Sequence, residues 1–480
     1  MRFTVILRYV GTVMLCLSAF MAASAGISFV SDDAGFYPLL LSSLLTLLLG
    51  IFPMIFVPRA ESITTKEGFM IVVGSWLLSC VVGMFPYLIW GGEFSIVNAW
   101  FESVSGFTTT GASILKDIEA LPQGLLFWRS ATTWIGGVGV VMFALLILPS
   151  LGTNKMALSG IELSSLARDN YRYRTQTIVK ILLSIYIGLT IVSTLALKFA
   201  GMRWFDAVNH AMSACATGGF STKNASIGFY DSALIEWILI VAMFLSSLHF
   251  GLIYSTFMRK ANNIFRSEVV RVYVGIIVGA TLLIGASLYF SGIYPEFFTS
   301  MRKSVFQVVS IITTTGFATA DTNVWTPFAI VILIMLSIVC GCAGSTSGGA
   351  KVDRILLYFK VLVARLRGQQ HPNAVIRIRL DGIMQEDRQV NTVTLFLTTY
   401  FMLIIFGTLT SALFGMDLLT AISSSVAFLG NVGPGFGEVG SLDNYAEMPS
   451  VLKAQGTILM LMGRLEIFGF IQFLFIRMWR

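Results

Sequence analysis

The sequence predicts an all-α polytopic membrane protein, with two N-terminal helices and then four pseudo-symmetric helix–pore loop–helix repeats around one central pore. Three observations support this prediction. Of the 480 residues, 56% are hydrophobic and only 12% are charged, against roughly 25% charged residues in an ordinary soluble domain. The apolar residues fall in blocks near the roughly 20 residues that cross a bilayer. A short apolar segment ending in a glycine turn recurs four times, which marks an internal repeat.

Ten blocks are long and apolar enough to be membrane spans, and the eighth is visibly interrupted: residues 5–30, 36–57, 69–90, 124–150, 176–200, 232–258, 270–292, 325–357, 391–414 and 450–478. The first block has basic residues ahead of it and Ala23-Ser24-Ala25 behind it, which are also features of a signal peptide. Because its apolar run is long, we expect a retained helix.

The basic residues are concentrated at both ends of the chain and in four segments, residues 59–66, 153–180, 259–271 and 351–388. By the positive-inside rule these segments and both termini are cytoplasmic, an arrangement that an even number of spans satisfies. The net charge of +7 therefore requires no nucleic-acid partner. We expect membrane lipid around the spans instead.

The sequence predicts neither an enzyme nor a resident metal or cofactor. Its five cysteines lie in or beside apolar stretches without metal-site or disulfide spacing. No Ser/His/Asp set, metal-ligand cluster or carboxylate pair converges at plausible spacing, and the chain has three histidines. Glu236, His210 and His249 lie in or near apolar runs, where we expect them to pack or to form hydrogen bonds. An intramembrane enzyme is therefore the weakest of the possible functions.

The four short segments lie between spans and end at Gly111, Gly218, Gly316 and Gly433, which are 107, 98 and 117 residues apart. Each unit is thus a helix, a short pore helix, a glycine turn and a second helix. We take three residues of each turn as the candidate ion-binding filter: Thr109, Thr110 and Gly111; Ala216, Thr217 and Gly218; Thr314, Thr315 and Gly316; and Asn431, Val432 and Gly433.

This arrangement suits the passage of a cation. An ion that leaves water needs its hydration shell replaced, and rings of backbone carbonyls can do this. Glycine allows the required backbone because it reaches positive φ without steric cost and places no side chain in the path. Irregular backbone at membrane depth is tolerated where it lines a water-filled path or is buried in protein. Pore helices whose C-termini point inward add partial negative charge.

A polar residue stands nine positions before each of these glycines: Glu102, Asn209, Gln307 and Ser424. Two interpretations are open. These side chains cap or hydrogen-bond within the bundle, or they contact the permeating ions directly.

The eighth span runs into a glycine-rich stretch that helix propensity alone would break, since each glycine costs roughly 1 kcal/mol relative to alanine. This stretch contains Gly341, Ala343, Gly344, Ser345, Thr346, Ser347, Gly348, Gly349 and Lys351. A phosphate-binding P-loop is disfavoured because Ala350 separates Gly349 from Lys351 and a membrane helix precedes the stretch. The residues alone leave open whether this unwound stretch is functional or a simple packing kink.

Arg464 places a charge near the middle of the predicted last span, where a charge is costly unless it faces water or a partner. It therefore faces water or forms one half of an ion pair. Glu466, two residues further on, points to a different helix face and is not the expected partner.

With these residues in place, the whole chain resembles the Trk/Ktr/HKT superfamily of K⁺ transporters, and within it the bacterial TrkH-type uptake subunits. The resemblance implies a two-helix extension and four repeats around one pore, at residues 1–60, 65–152, 170–262, 265–370 and 388–480. It also implies that K⁺ binds at the filter residues, because Gly111 stands where serine accompanies Na⁺ selectivity in the superfamily. The fourth turn departs from the Thr-Thr-Gly pattern, so we expect only approximate fourfold symmetry.

The resemblance further implies that the loop of the third repeat gates the pore, that Arg464 faces the pore below the filter, and that K⁺ is the permeant ion. It implies a bacterial cytoplasmic (inner) membrane, a homodimer, and a peripheral TrkA-like subunit that binds NAD or ATP and docks on basic segments 153–175 and 351–388. The expected function is gated, channel-like K⁺ uptake. The alternative is K⁺ symport coupled to Na⁺ or H⁺.

Overall fold

The structure is a computed structural model that describes residues 2–58, 63–147, 175–258, 263–371 and 377–475, and it is predominantly helical. Most of the basic segment 153–180 lies outside the described residues. Within them, the strands are confined to a hairpin that pairs β1 (Arg379–Leu380) with β2 (Ile383–Met384). The fold is therefore the predicted all-α polytopic membrane protein.

The chain begins with a pair of long helices, α1 (Phe3–Val30) and α2 (Phe36–Phe56). They pack closely because small residues face each other, and Ser18 and Ser43 each donate a hydroxyl to the other's carbonyl oxygen at 2.9 Å. Small interfacial residues let membrane helices approach closely. The opposite face of α2 exposes a row of leucines and phenylalanines, which fits a surface covered by lipid.

Each of the next four units contains an outer helix, a short pore helix and an inner helix. In repeat 1 these are α3 (Thr65–Gly83) with α4 (Phe85–Trp90), the pore helix α5 (Ile96–Phe107) and α6 (Gln123–Ile147). In repeat 2 they are α7 (Thr175–Phe199), the pore helix α8 (Trp204–Ala216), and α9 (Ala233–Ser246) with α10 (Phe250–Phe257).

Repeats 3 and 4 follow the same order. Repeat 3 contains α11 (Glu268–Phe290), the pore helix α12 (Phe297–Ile312), and α13 (Pro327–Val339) with α14 (Val352–Gln370). Repeat 4 contains α15 (Asp387–Leu413), the pore helix α16 (Leu418–Gly430), and α17 (Ser450–Arg464) with α18 (Ile467–Leu474).

The inner helices of repeats 2, 3 and 4 are all broken, whereas the sequence analysis located only the break in repeat 3. The axis turns by 100° between α9 and α10 and by 110° between α17 and α18. Within the described residues, six helices are long and apolar enough to cross a membrane alone, or eight if each bent pair counts as one span. Blocks 232–258 and 450–478 were predicted as spans, and each is a bent pair of helices and not one continuous helix.

The two missed breaks have no cluster of glycines or prolines. After α9, the His249 imidazole caps the next helix by accepting from Gly251 N at 2.9 Å. After α17, Glu466 adopts a left-handed φ of 56°. At each break a single polar residue, His249 or Glu466, shapes the backbone, so helix propensity does not predict either break.

The repeats are joined outside the pore helices by polar contacts. Between repeats 3 and 4, Asn323 Nδ2 donates to Gly437 O at 2.9 Å, and Gly437 N donates to Asn323 Oδ1 at 3.0 Å. The same amide nitrogen lies 3.0 Å from a carboxylate oxygen of Asp443. The Asn323 side chain thus links repeats 3 and 4 through two hydrogen bonds with the Gly437 backbone.

We predict that Asn323→Ala lowers the midpoint of thermal unfolding in detergent, because the partly buried N–H and carbonyl of Gly437 lose their partner at a cost of about 2 kcal/mol. Asn391→Ala is the matched control, since Asn391 is exposed at the start of α15. Equal midpoints for the two variants would contradict the role of this contact.

Candidate functional site

The four pore helices end in the same backbone motif. In repeat 1, Thr109 has φ of 52°, its N–H donates to Gly106 O at 2.9 Å, and Thr110 N donates to Ser105 O at 2.8 Å. These are the two hydrogen bonds of a Schellman C-cap with a left-handed residue. The other three pore helices repeat both bonds, with the left-handed residues Thr217, Thr314 and Asn431 at φ of 55°, 59° and 54°.

The left-handed position is unfavourable for three of these four residues. A β-branched residue at positive φ is a conformational outlier, and such strain is typically held at functional sites by the surrounding structure. Asn431 relieves it, because asparagine tolerates this region. The fourth turn, which departs from the threonine pattern in sequence, therefore keeps the common backbone.

Two residues after the left-handed position, each turn has a glycine at positive φ, and together these ring glycines are Gly111, Gly219, Gly316 and Gly433. A Cβ on any of them would lie 2.5 Å or less from a carbonyl oxygen of the next repeat. The carbonyls contacted in this cyclic order belong to Gly218, Thr315, Val432 and Thr110, which we call the ring carbonyls. The four turns therefore close into a ring around one axis.

This ring corrects the sequence-based alignment of the second turn. Gly218 was taken as the equivalent of Gly111, but Gly219 has the positive φ and the contact with repeat 3, and Gly218 supplies the ring carbonyl. Ala216 correspondingly lies one position before the left-handed residue. Two adjacent glycines in the sequence leave this choice open, and only the backbone geometry decides it.

The same shift changes which polar residue of α8 is the equivalent of Glu102. His210 stands nine positions before Gly219, and its Nε2 lies 2.9 Å from the Ser221 hydroxyl behind the turn. Asn209 instead donates to Phe205 O within its own helix at 2.7 Å. Gln307 donates to Ala320 O and Ser424 to Ala421 O, both at 3.3 Å. These side chains therefore have partners within the protein.

Polar side chains surround the ring on its inner side. The hydroxyls of Thr108 and Thr110 lie 2.8 Å apart, and Asn431 Nδ2 donates to Thr110 Oγ1 at 3.0 Å. Thr109 Oγ1 and Asn431 Oδ1 are buried and have no hydrogen-bond partner among the described residues. Buried oxygens without partners are rare. Oxygens of this kind suit a cation.

On the outer side, the ring opens into a cavity whose lining includes Ser113, Lys116, Lys223 and Asp443. Ion pairs cross its rim between repeats: Lys116 pairs with Glu447, and Lys223 pairs with Glu119 at 3.0 Å. The hydrogen bond from the Lys116 ammonium holds the pKa of the Glu447 carboxyl below its usual range. The mouth therefore carries both signs of charge.

Residues 340–351 form a loop between α13 and α14, which we call the intramembrane loop, and the helix is broken there as predicted from its glycines. Gly348 N donates to Thr314 Oγ1 at 2.9 Å, and the Thr346 hydroxyl donates to Cys215 O at 3.1 Å. Ser345, Thr346 and Ser347 are all buried. Positive φ at Gly344 and Gly349, 76° and 70°, shapes the loop. Lys351, at φ of 70°, immediately precedes α14.

The loop is hydrogen-bonded to the broken inner helix of repeat 2. Cys342 N donates to Ser247 O at 3.0 Å, and Phe250 N donates to Gly344 O at 3.2 Å. The break therefore frees the backbone groups that the loop needs. The sequence analysis did not predict this contact, because it located the break in repeat 3 but not the break in repeat 2 that supplies the partner groups.

Arg464 is the last residue of α17 and not a residue in the middle of a continuous helix, which corrects the sequence-based placement. It is buried, and its guanidinium donates to Thr346 O at 2.7 Å and to Gly136 O of α6 at 3.3 Å. Glu466 pairs at 2.8 Å with Arg354, one turn beyond the loop. Repeat 4 thus contacts the loop on both sides.

These positions generate a test of the corrected alignment. Gly219→Ala should abolish cation flux, because the methyl group would collide with the Thr315 carbonyl at a positive φ. Gly218→Ala should retain more flux, since the atoms nearest its methyl group belong to the Thr133 side chain, at 2.7 Å, and not to a ring carbonyl, and its φ is not left-handed. Flux of radioactive Rb⁺ into proteoliposomes measures both. The reverse order of activity would restore Gly218 as the ring glycine.

Comparisons with known proteins agree with this architecture. A family model described as TrkH, cation transport protein, matches residues 50–274 and 295–478. The chain is 35% identical to the "Trk system potassium uptake protein TrkH" of Salmonella typhimurium, with 100% of both chains covered. It is 34% identical to the protein of that name from Halomonas elongata over the same coverage.

A solved structure gives the same result. The crystal structure of "the Potassium Transporter TrkH from Vibrio parahaemolyticus" superimposes with a TM-score of 0.90 at 33% sequence identity, covering 100% of both chains. The chain belongs to the TrkH family of cation transport proteins.

Proposed function

We propose that this protein carries out K⁺ uptake across the bacterial cytoplasmic membrane through a gated, channel-like pore. The observation that carries the proposal is the closed ring, in which each repeat's glycine packs on the next repeat's carbonyl. The relatives support the choice of ion, because their names describe potassium uptake. The membrane units are the extension 1–60 and the repeats 65–152, 170–262, 265–370 and 388–480.

The filter acts by replacing water. The ring carbonyls and the nearby threonine hydroxyls take over the coordination that a K⁺ ion loses when it leaves its hydration shell. The C-terminal ends of four pore helices meet at this point, so their dipoles place partial negative charge where the cation passes. The filter of the proposal contains the predicted residues, with Gly219 added to the second turn.

The gate is the intramembrane loop. It lies immediately under the ring and is bonded to repeats 2 and 3 through Cys215 O and Thr314 Oγ1. Arg464 adds a permanent positive charge to the same level and holds the loop by its Thr346 carbonyl. A cation that has passed the filter meets both obstacles, so opening requires the loop to move.

Regulation comes from outside the membrane. The naming of the relatives as parts of a Trk system supports a multi-component assembly, and the basic segments 153–175 and 351–388 would receive a peripheral subunit that binds NAD or ATP. The positive-inside rule places these segments and both termini in the cytoplasm. The membrane subunit acts as a homodimer with one pore per protomer.

Coupled symport with Na⁺ or H⁺ is the second candidate, and one observation favours it. Broken helices at membrane depth are typical of secondary transporters, which bind ions at such breaks, and three of the four inner helices here are broken.

Reversal potentials separate the two functions. For the purified protein in liposomes, we expect the current to reverse at the K⁺ equilibrium potential and to ignore an imposed Na⁺ or H⁺ gradient, because a pore couples no second ion. A reversal potential that follows either of the other gradients would establish symport. Absence of any K⁺ current in the presence of its regulatory partner would reject both.

Arg464→Gln should raise K⁺ flux severalfold, because it removes a positive charge from the path and releases the loop at Thr346. Arg464→Lys is the control that keeps the charge while losing the two-pronged contact. Thr346→Val removes the hydroxyl bonds to Cys215 and Ser246 but keeps the carbonyl that Arg464 binds. Radioactive Rb⁺ uptake compares them, and unchanged flux in Arg464→Gln would contradict the barrier role.

A further inference from the structure

A fully buried ion pair lies against the first and second filter turns. Glu102 on α5 and Arg129 on α6 are 0% and 1% exposed, and Arg129 Nε lies 2.8 Å from Glu102 Oε1. Removing two charges from water is expensive, and a buried pair is seldom more stabilising than apolar side chains of the same volume. Its presence at this position therefore calls for a role beyond stability.

The remaining atoms of the pair bind the turns that form the filter. Glu102 Oε2 accepts from Ile114 N at 3.1 Å, and the Ser113 hydroxyl donates to the same carboxylate at 3.0 Å. Arg129 Nη2 donates to Ser113 Oγ at 3.1 Å, while Nη1 donates to Ser221 O at 3.2 Å. The carboxylate thus holds the first turn, and the guanidinium holds the first and second turns together.

The two contact points of the guanidinium are equivalent positions. Ser113 lies two residues after the ring glycine Gly111, and Ser221 lies two residues after Gly219. The guanidinium plane also lies over the Phe220 ring, with its carbon 4.2 Å from the ring centroid. One rigid, planar group therefore spans the gap between two neighbouring turns at matched heights.

The corresponding positions of the other repeats have no such pair. His210 bonds to the Ser221 hydroxyl, Gln307 bonds to Ala320 O, and Ser424 bonds within its own helix. The partly exposed Lys303 binds Glu236 and Thr319 O at the next boundary. The pair behind the first and second turns is thus the most deeply buried of these charged contacts.

We propose that Glu102 and Arg129 are positioning residues that fix the spacing of the first two filter turns and thereby set the discrimination between K⁺ and Na⁺. This inference rests on the proposed K⁺ pathway. On one account, a cage of carbonyls favours K⁺ over Na⁺ because its oxygens cannot close in around the smaller ion. On the other account, the number and field strength of the coordinating carbonyls decide. Both require the turns to keep their positions. The Arg129 guanidinium holds the first and second turns in position, because its rigid, planar fork bonds to both.

The test is the Na⁺/K⁺ permeability ratio, measured from bi-ionic reversal potentials of the full-length protein in liposomes. Arg129→Gln and Glu102→Gln should each raise the ratio by about tenfold, the size expected when about 1.4 kcal/mol of discrimination is lost. Arg129→Lys should fall in between, because it keeps the charge but loses the fork. Asn391→Ala should leave the ratio unchanged, because Asn391 is exposed at the start of α15 and is not part of a filter turn.

A purely structural role predicts a different result. Smaller currents for K⁺, Rb⁺ and Na⁺ in equal proportion, with an unchanged ratio, would overturn the inference. If a single variant does not elute as a monodisperse peak, the double variant Glu102→Gln/Arg129→Gln decides, because it leaves no unpaired buried charge. A wild-type ratio in that variant overturns the inference, and a raised ratio supports it. An unselective wild-type protein would instead reject the proposed K⁺ pathway itself.

Discussion

Backbone polar groups at membrane depth must find partners within the protein, because hydrocarbon offers none. This constraint shapes both irregular parts of the molecule. Each pore helix closes its end with a Schellman motif, so the chain can leave the helix without stranding its last carbonyls. The intramembrane loop meets the same demand by pairing with the break in repeat 2, where Ser247 O and Phe250 N are available.

The common backbone also explains how four unlike sequences build one ring. What the turns share is a left-handed residue followed two positions later by a glycine, while the residue between them varies from threonine to glycine to valine. That intermediate residue contributes its carbonyl, which every amino acid possesses, so its side chain is free to differ. Approximate fourfold symmetry in the sequence is thus compatible with a closed fourfold contact in the backbone.

Sequence reasoning was sufficient for the fold, because apolar blocks and a recurring glycine turn follow directly from the bilayer and from the ring. It also located the intramembrane loop, whose glycines are dense enough to break a helix. It failed where a feature depends on backbone geometry and not on residue composition. Gly218 and Gly219 are indistinguishable by composition, and the bend at Glu466 has neither glycine nor proline. Arg464 appeared to lie within a helix because that bend was not foreseen.

In the proposed pore, the contacts of the intramembrane loop determine which bonds must break for the path to open. The loop bonds to repeat 2 at Cys215 and to repeat 3 at Thr314. Gly348 packs so closely on Gly430 of repeat 4 that a Cβ would meet its carbonyl oxygen. Arg464 then links Thr346 to Gly136 of repeat 1. The loop therefore contacts repeats 2, 3 and 4 directly and is linked to repeat 1 only through Arg464, and its displacement must break the direct contacts.

In the proposed orientation, α14 connects this loop to the cytoplasmic side, from which a regulatory subunit would act on it. The chain leaves it through α14, where Asp353 accepts from Ala343 N at 2.6 Å and Arg354 pairs with Glu466. Further along α14, Lys360 donates to Arg379 O at 2.7 Å and pairs with Glu268 at the start of α11. A force on α14 thus acts on the loop directly through Asp353 and on the bend of repeat 4 through Arg354. Since that bend carries Arg464, one movement can shift the loop and the charge together.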